Sequence, residues 1–119
     1  MEFESILRDA CTGLEGILGV SLVGLDGIAI AAVNLEGTPD LDSMAAELTT
    51  FLKTIRSTSS TIDGDTVNHM VIYTPHSATV LHGVTTEYFI LAMIQRPAIL
   101  GKIRFKLLRA ALRLKEEMS

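Results

Sequence analysis

The chain is poor in cysteine and in aromatic residues: its 119 residues include one cysteine, Cys11, and no tryptophan. With a single cysteine no disulfide can form within the chain, so we expect a reducing, cytoplasmic location. Aromatic residues make up 5% of the sequence, which leaves little surface for stacking nucleic-acid bases, and the net charge is −4. We therefore expect no nucleic-acid partner.

Long hydrophobic runs are also missing. The longest, Tyr88–Ile94, has seven residues, whereas a membrane-spanning helix needs roughly 20. Hydrophobic residues make up 48% of the chain and charged residues 20%, which is typical of a globular protein. The length predicts a single domain over residues 1–119.

Motifs that carry chemistry are absent from the sequence. None of the nine glycines falls in a G-x-G-x-x-G or G-x-x-x-x-G-K-[ST] pattern, and no G-x-S-x-G nucleophile elbow occurs. Cys11 lies at the edge of the apolar stripe of a predicted helix, where we interpret it as a core residue and not as a nucleophile. We expect no catalytic residues, no cofactor and no enzymatic activity.

Two histidines lie on consecutive predicted strands joined at Pro75, and their pairing depends on the length of that loop. A two-residue loop would set His69 opposite His82, but Pro75 cannot take the positive φ of a type I′ turn. A four-residue loop would pair His69 with Val84 instead. The two histidines can share a sheet face, but no third ligand lies nearby in the sequence, so we expect no metal site.

Hydrophobic periodicity and turn residues predict the order helix, two strands, helix, three strands, helix. The first helix should end at Gly16 and Gly19. Asp26-Gly27 predicts a type I′ hairpin between the strands Val20–Leu25 and Ile28–Val33. The other predicted elements are a helix that opens at Pro39 and ends in Ser57–Thr61, the strands Val67–Thr74, Ala78–Val84 and Glu87–Gln95, and a helix from Pro97.

The last predicted strand, Glu87–Gln95, is apolar on both of its faces. Such a strand lies in the centre of a sheet that is covered on both sides. Hairpin-like turns indicate a largely antiparallel sheet. The sequence therefore predicts an α+β fold arranged as a three-layer α/β/α sandwich.

Charge is divided unevenly along the chain. Residues 1–65 carry a net charge of −8 and residues 66–119 a net charge of +4. A basic last helix can bind an acidic partner or a membrane surface, but we favour a solvated face that complements the acidic domain. The basic stripe of this helix consists of Lys102, Lys106, Arg109 and Arg113.

The last helix also has a second apolar stripe, roughly opposite its core-facing stripe. A helix that is apolar on two sides is packed on two sides. We expect the first helix to cover this second stripe, and we do not expect insertion into a membrane. The stripe consists of Phe105, Leu108 and Leu112.

Two further surfaces suggest contact with a partner. The second helix carries small residues opposite its core stripe, where Glu, Lys and Arg are usual; this indicates either close approach by a partner or a weakly optimised helix. The strand Val67–Thr74 has no charge, so at a sheet edge it would lack the usual protection and should pair with another chain. The small-residue face comprises Ala46, Thr49, Thr50, Lys53 and Ser57.

The segments Leu14–Val20 and Leu25–Ala31, LEGILGV and LDGIAIA, together with the element order, resemble the Roadblock/dynein light chain family. The chain resembles in particular the stand-alone prokaryotic members of this family, which include gliding-motility regulators. This resemblance implies a five-stranded sheet of order 2-1-5-4-3. It also implies that the second helix lies on one face of the sheet and the first and last helices lie on the other.

The resemblance also implies a function. Such domains form homodimers through an edge strand, with their second helices side by side, and bind small Ras-like GTPases as activating regulators or as scaffolds. The small-residue face would then contact either the GTPase or the second protomer of the dimer. Arg56 could be an arginine inserted into the GTPase site, but we favour a place in the solvated end of the helix. A small-molecule sensor is a third alternative. The edge-strand residues are His69, Met70, Val71, Ile72 and Tyr73.

Overall fold

A computed structural model describes residues 2–35, 40–62, 68–95 and 100–118. The elements follow the predicted order. They are helix α1 (Glu2–Cys11), strands β1 (Ile17–Gly24) and β2 (Ala29–Asn34), helix α2 (Leu41–Ile62), strands β3 (His69–Tyr73), β4 (Ser77–Gly83) and β5 (Tyr88–Gln95), and helix α3 (Leu100–Glu117). The starts predicted at Pro39, Val67 and Pro97 lie outside the described residues.

The five strands form one sheet in the order β2-β1-β5-β4-β3, and every neighbouring pair is antiparallel. Strand β5 lies in the centre, and all of its residues from Phe89 to Ile94 are buried. Side chains of a strand point alternately to the two faces, so a strand without polar alternation needs cover on both. The predicted central position and sheet order are confirmed.

The sheet separates two hydrophobic cores. On one face, α1 and α3 pack over residues such as Ile90, Ala92 and Ile94 of β5. On the other face, α2 packs over Phe89 and Leu91 of the same strand. The three-layer arrangement, with one helix on one face and two on the other, is therefore confirmed.

The first helix and the hairpin after it differ from their predictions. Helix α1 ends at Cys11 and is followed by Gly13 with a φ of 76°, whereas Gly19 lies inside β1. Four residues, Leu25 to Ile28, lie between β1 and β2, and among them Gly27 alone has a positive φ, 84°. A type I′ turn needs two positive values, so the hairpin is correct but its predicted turn type is wrong.

Helix α2 is longer than predicted. It continues through Ser57–Thr61 to Ile62, although serine and threonine usually weaken helices by competing for backbone groups. Here the hydroxyls of Thr54 and Thr58 donate to the carbonyls four residues earlier, at 3.2 and 3.1 Å, which satisfies them inside the helix. Asp40 caps the other end by accepting the amide of Ser43 at 3.2 Å.

Candidate partner-binding surfaces

Strand β3 forms one edge of the sheet, as predicted, and carries no Asp, Glu, Lys or Arg. The carbonyl of Asn68 accepts the amide of Gly83 at 2.7 Å. The amide of Thr74 donates to the carbonyl of Ser77 at 2.9 Å. The backbone groups of even-numbered residues therefore face β4, and those of residues 69, 71 and 73 face away from the sheet. The pairing of this edge with a second chain remains a prediction for His69, Met70, Val71, Ile72 and Tyr73.

The β3–β4 hairpin brings two histidines together. His69 and His82 are cross-strand partners, and their Nδ1 atoms are 2.9 Å apart. At this distance one ring donates a hydrogen and the other accepts it. Burial lowers the pKa of both imidazoles, and the nearby charge of Arg104 adds to the effect. Within the described ranges no three His, Cys, Asp or Glu residues lie together so as to hold a metal ion.

The turn of this hairpin explains the register. Thr74 follows β3 and lies opposite Ser77, the first residue of β4, so the loop between them has two residues, Pro75 and His76. The alternative pairing of His69 with Val84 is therefore wrong. No described residue other than glycine has a positive φ, which excludes type I′ geometry. The Thr74 hydroxyl closes the turn by accepting the Ser77 amide at 3.1 Å. The turn therefore does not have the positive φ values that proline cannot adopt, and a hydrogen bond to the Thr74 side chain bridges it instead.

The small-residue face of α2 is only partly where the sequence predicted it. Ala46, Thr50, Lys53 and Ser57 are exposed. Thr49 is 3% exposed, so its predicted place on this face is wrong. Its hydroxyl donates to the Ala45 carbonyl at 2.6 Å, and this bond lets a polar side chain be buried. We call the four exposed residues the α2 face.

The alanine of the α2 face lies near the β1–β2 turn. A Cβ placed on Gly27 would come within 3.4 Å of the Cα of Ala46, so the β1–β2 turn lies close to the helix there. Phe51 is 48% exposed beside this face.

Arg56 is not part of a solvated helix end. Its guanidinium donates to the Thr86 carbonyl at 2.9 Å, and α2 continues for six residues beyond it, to Ile62. Partial burial lowers the pKa of this guanidinium, which stays protonated at neutral pH. The contact joins α2 to the β4–β5 turn.

Helix α3 has an uncovered apolar side. Phe105, Leu108 and Leu112 are 59%, 44% and 58% exposed, so the prediction that α1 covers this stripe is wrong. Helix α1 packs instead beside the buried Ala110 and Ala111, which belong to the same core. We call the three exposed residues the α3 apolar stripe.

The four residues of the basic stripe on α3 differ in their surroundings. On the side facing α1, Arg113 forms an ion pair with Asp9 at 3.3 Å, which is the intrachain complementarity expected from the sequence. Beside the α3 apolar stripe, the guanidinium of Arg109 lies 6.0 Å from the centre of the Phe105 ring. In the same helix Lys102 is exposed and Lys106 is half-buried.

Cys11 is half-buried and packs against the core beneath α1 and α3. Burial raises the pKa of its thiol, although Arg8 opposes the effect. A raised pKa leaves little thiolate at neutral pH, which fits a packing role better than a nucleophilic one.

In the described part of the chain, no helix has the length and apolar character needed to span a membrane.

Solved structures with the same fold include MglB from two bacteria. Myxococcus xanthus MglB has a TM-score of 0.89 and 13% identity, over 99% of this chain and 95% of that one. The gliding protein MglB from Thermus thermophilus has a TM-score of 0.87 and 14% identity, over 96% and 86%. MglC from Myxococcus xanthus has a lower TM-score, 0.69, but 25% identity over 98% and 99%.

The sequence itself also identifies a family. No curated protein matches the chain significantly. The sequence model of the Roadblock/LC7 domain, in contrast, matches residues 5–95, from α1 through the whole sheet. This match agrees with the sheet order and helix placement, and it confirms the family resemblance seen in the sequence. The chain therefore belongs to the Roadblock/LC7 domain family.

Proposed function

We propose that this protein is a homodimeric, non-catalytic regulator of a small Ras-like GTPase and increases the rate of GTP hydrolysis. The uncharged edge strand β3 carries the proposal, because it gives the domain a surface for assembly. Membership of the Roadblock/LC7 family and likeness to MglB support it. The α2 face would meet the GTPase or the neighbouring protomer.

Dimerisation would extend the sheet across two chains. Strand β3 ends the sheet and has no charged residue that would oppose pairing with a second copy. Around a two-fold axis two such strands pair antiparallel, each presenting the same edge. We expect light scattering to give about twice the chain mass of 12.9 kDa.

Proline substitutions at two adjacent positions distinguish the outward-facing hydrogen-bonding edge of β3 from the edge that pairs with β4. Val71 directs its backbone N–H outward, so Val71→Pro should yield a folded monomer. Met70 directs its N–H toward β4, so Met70→Pro should break the internal ladder and destabilise the fold. A Val71→Pro protein that keeps the dimer mass would exclude pairing through this edge.

The chain would act on the GTPase by contact and not by supplying a catalytic group. Arg56, the arginine of α2, is tied to the Thr86 carbonyl. The exposed residues Thr50, Lys53 and Ser57 form a surface with few long side chains, and a partner can approach it closely without immobilising them. Such a surface can hold a GTPase in a hydrolysis-competent conformation.

The deciding experiment is a single-turnover GTP hydrolysis assay with a purified small Ras-like GTPase from the same organism. Adding this protein should accelerate hydrolysis, while the protein alone should hydrolyse no GTP. Binding to the GTPase with an unchanged hydrolysis rate would refute activation and indicate a scaffold. Absence of binding would refute the proposal as a whole.

A further inference from the structure

The α3 apolar stripe has no partner within the described chain. Phe105, Leu108 and Leu112 are spaced by three and four residues, which places them on one side of the helix over about two turns. All three are at least 44% exposed. Burying large apolar side chains is favourable, so this stripe can contribute substantially to binding.

The stripe continues into a groove between α3 and the sheet edge. The groove has a volume of about 420 Å³. Its helical wall comprises Gly101, Arg104, Phe105 and Leu108, and its sheet wall comprises His69 and His82. A Cβ built on Gly101 would meet no atom within 4 Å, so the glycine leaves this part of the groove open.

The charge around the groove and stripe is positive. Arg104 lies in the groove wall, and Arg109 lies beside Phe105. Among the described residues neither arginine has a carboxylate within ion-pair distance, unlike Arg113, which is paired with Asp9. The acidic residues of α3, Glu116 and Glu117, are confined to its C-terminal end.

We propose that this surface binds an acidic amphipathic segment of another protein. One apolar side chain of the segment would enter the groove, others would cover Leu108 and Leu112, and its carboxylates would face Arg104 and Arg109. Because the surface is positively charged, charge complementarity indicates a negatively charged partner. The concave groove favours a peptide side chain over a flat lipid surface. This surface lies across the sheet from the α2 face, so the proposal does not rest on the proposed GTPase function.

The test uses the full chain and a synthetic helical peptide that has leucines at spacings of three and four, with glutamates between them. Fluorescence anisotropy should show saturable binding of this peptide. A peptide with lysines in place of the glutamates should not bind.

Two sets of variants locate the binding site. Gly101→Leu places a side chain in the groove and should weaken binding about tenfold. A Cβ at this position meets no atom within 4 Å, so we expect the variant to fold. Arg104→Gln should also weaken binding about tenfold. Lys102→Gln removes the same charge from the same helical turn but outside the groove, so it should bind the peptide like the wild type.

Four results would overturn the proposal. They are the lack of saturable binding by the acidic peptide, equal binding of the lysine peptide, wild-type binding by both Gly101→Leu and Arg104→Gln, and equal weakening by Lys102→Gln. Two further results would assign the surface to a different occupant. Capture by phosphatidylglycerol-containing vesicles in place of the peptide would indicate a membrane surface, and a lower solution mass for Leu112→Glu would indicate a second copy of the chain.

Discussion

The outward sides of α2 and α3 differ in chemistry although both helices pack against the same sheet. The α2 face presents Ala46, Thr50 and Ser57, whose side chains are short, with Lys53 as its one long residue. The α3 apolar stripe presents large hydrophobic groups, with Arg104 and Arg109 nearby. A short-chain face permits close approach over a flat area, whereas an apolar stripe beside a groove holds individual side chains.

This difference shows that exposure alone does not define a binding site. On α2, the stabilisation would come from contact between closely spaced surfaces and from the low cost of ordering short side chains. On α3, it would come from burial of apolar area, with charge selecting the partner. The sheet between them would let two different partners bind one protomer at the same time.

The largest expected effect is a difference in stability between substitutions on the buried side and on the exposed side of α3. Leu107 is fully buried, and Leu107→Ala should lower the free energy of unfolding by about 2–5 kcal/mol through lost burial and a cavity. Leu112 is 58% exposed, and Leu112→Ala should change it by about 0.5 kcal/mol or less. Urea unfolding of both variants at one protein concentration measures the difference.

The two substitutions form a matched pair because they change the same residue type within one helix. Helix propensity therefore contributes equally to both. A large loss in Leu112→Ala would mean that the α3 apolar stripe is already covered in solution. That result would contradict the open surface described above.

The next effect tests the α2 face. Thr50→Arg places a long, charged side chain on the exposed side, so it should leave folding and dimerisation intact. It should weaken binding to the cognate GTPase by about 2 kcal/mol or more, roughly thirtyfold in Kd, through steric conflict and an unpaired charge. Isothermal titration calorimetry with the GTPase measures it. Thr50 is a cleaner position than Ala46, which lies against the β1–β2 turn.

A variant on the other sheet face provides the control for this comparison. Lys106→Glu combined with Arg109→Glu reverses two charges of α3 but leaves α2 untouched. It should affect the GTPase much less than Thr50→Arg does. If the α3 variant abolished binding while Thr50→Arg had no effect, the GTPase would bind the opposite face from the one proposed.

The fold was predictable because its signals are periodic and mutually consistent. The continuous apolar run Tyr88–Ile94 indicated a central strand. In α3 the residues spaced by three and four, Ile103, Leu107, Ala110 and Leu114, are all buried. Such patterns report which side of an element is buried. The family resemblance then supplied the sheet order, which local patterns do not determine.

The site was less predictable because it depends on particular neighbours. Thr49 is buried although the helical wheel set it opposite the core stripe, and its hydroxyl donates to the Ala45 carbonyl, which satisfies the polar group there. The α3 apolar stripe was assigned to α1 because the sequence shows that a face is apolar but not which element covers it. The His69–His82 register follows from a short loop at Pro75-His76 that is not a type I′ turn and that the Thr74 side chain bridges by a hydrogen bond.

The smallest expected effect concerns this histidine pair. Both imidazoles have a pKa below the ordinary value of 6.5 because burial and nearby Arg104 disfavour their charged forms. Below pH 6.5 the unfolded chain therefore binds more protons than the folded one. Their contribution to stability is complete above pH 6.5 and is lost as the pH falls toward the lower folded-state pKa values.

The geometry of the pair also predicts that stability falls at low pH. If both rings were protonated, two N–H groups would face each other across 2.9 Å and neither nitrogen could accept a hydrogen bond. Urea midpoints should fall between pH 7.5 and pH 5, and His69→Gln should reduce that fall. His76→Gln changes the same residue type in the exposed turn and should preserve it. If His69→Gln and His76→Gln showed the same acid sensitivity as the wild type, the cross-strand pair would contribute nothing to it, and the carboxylates elsewhere in the chain would account for the loss.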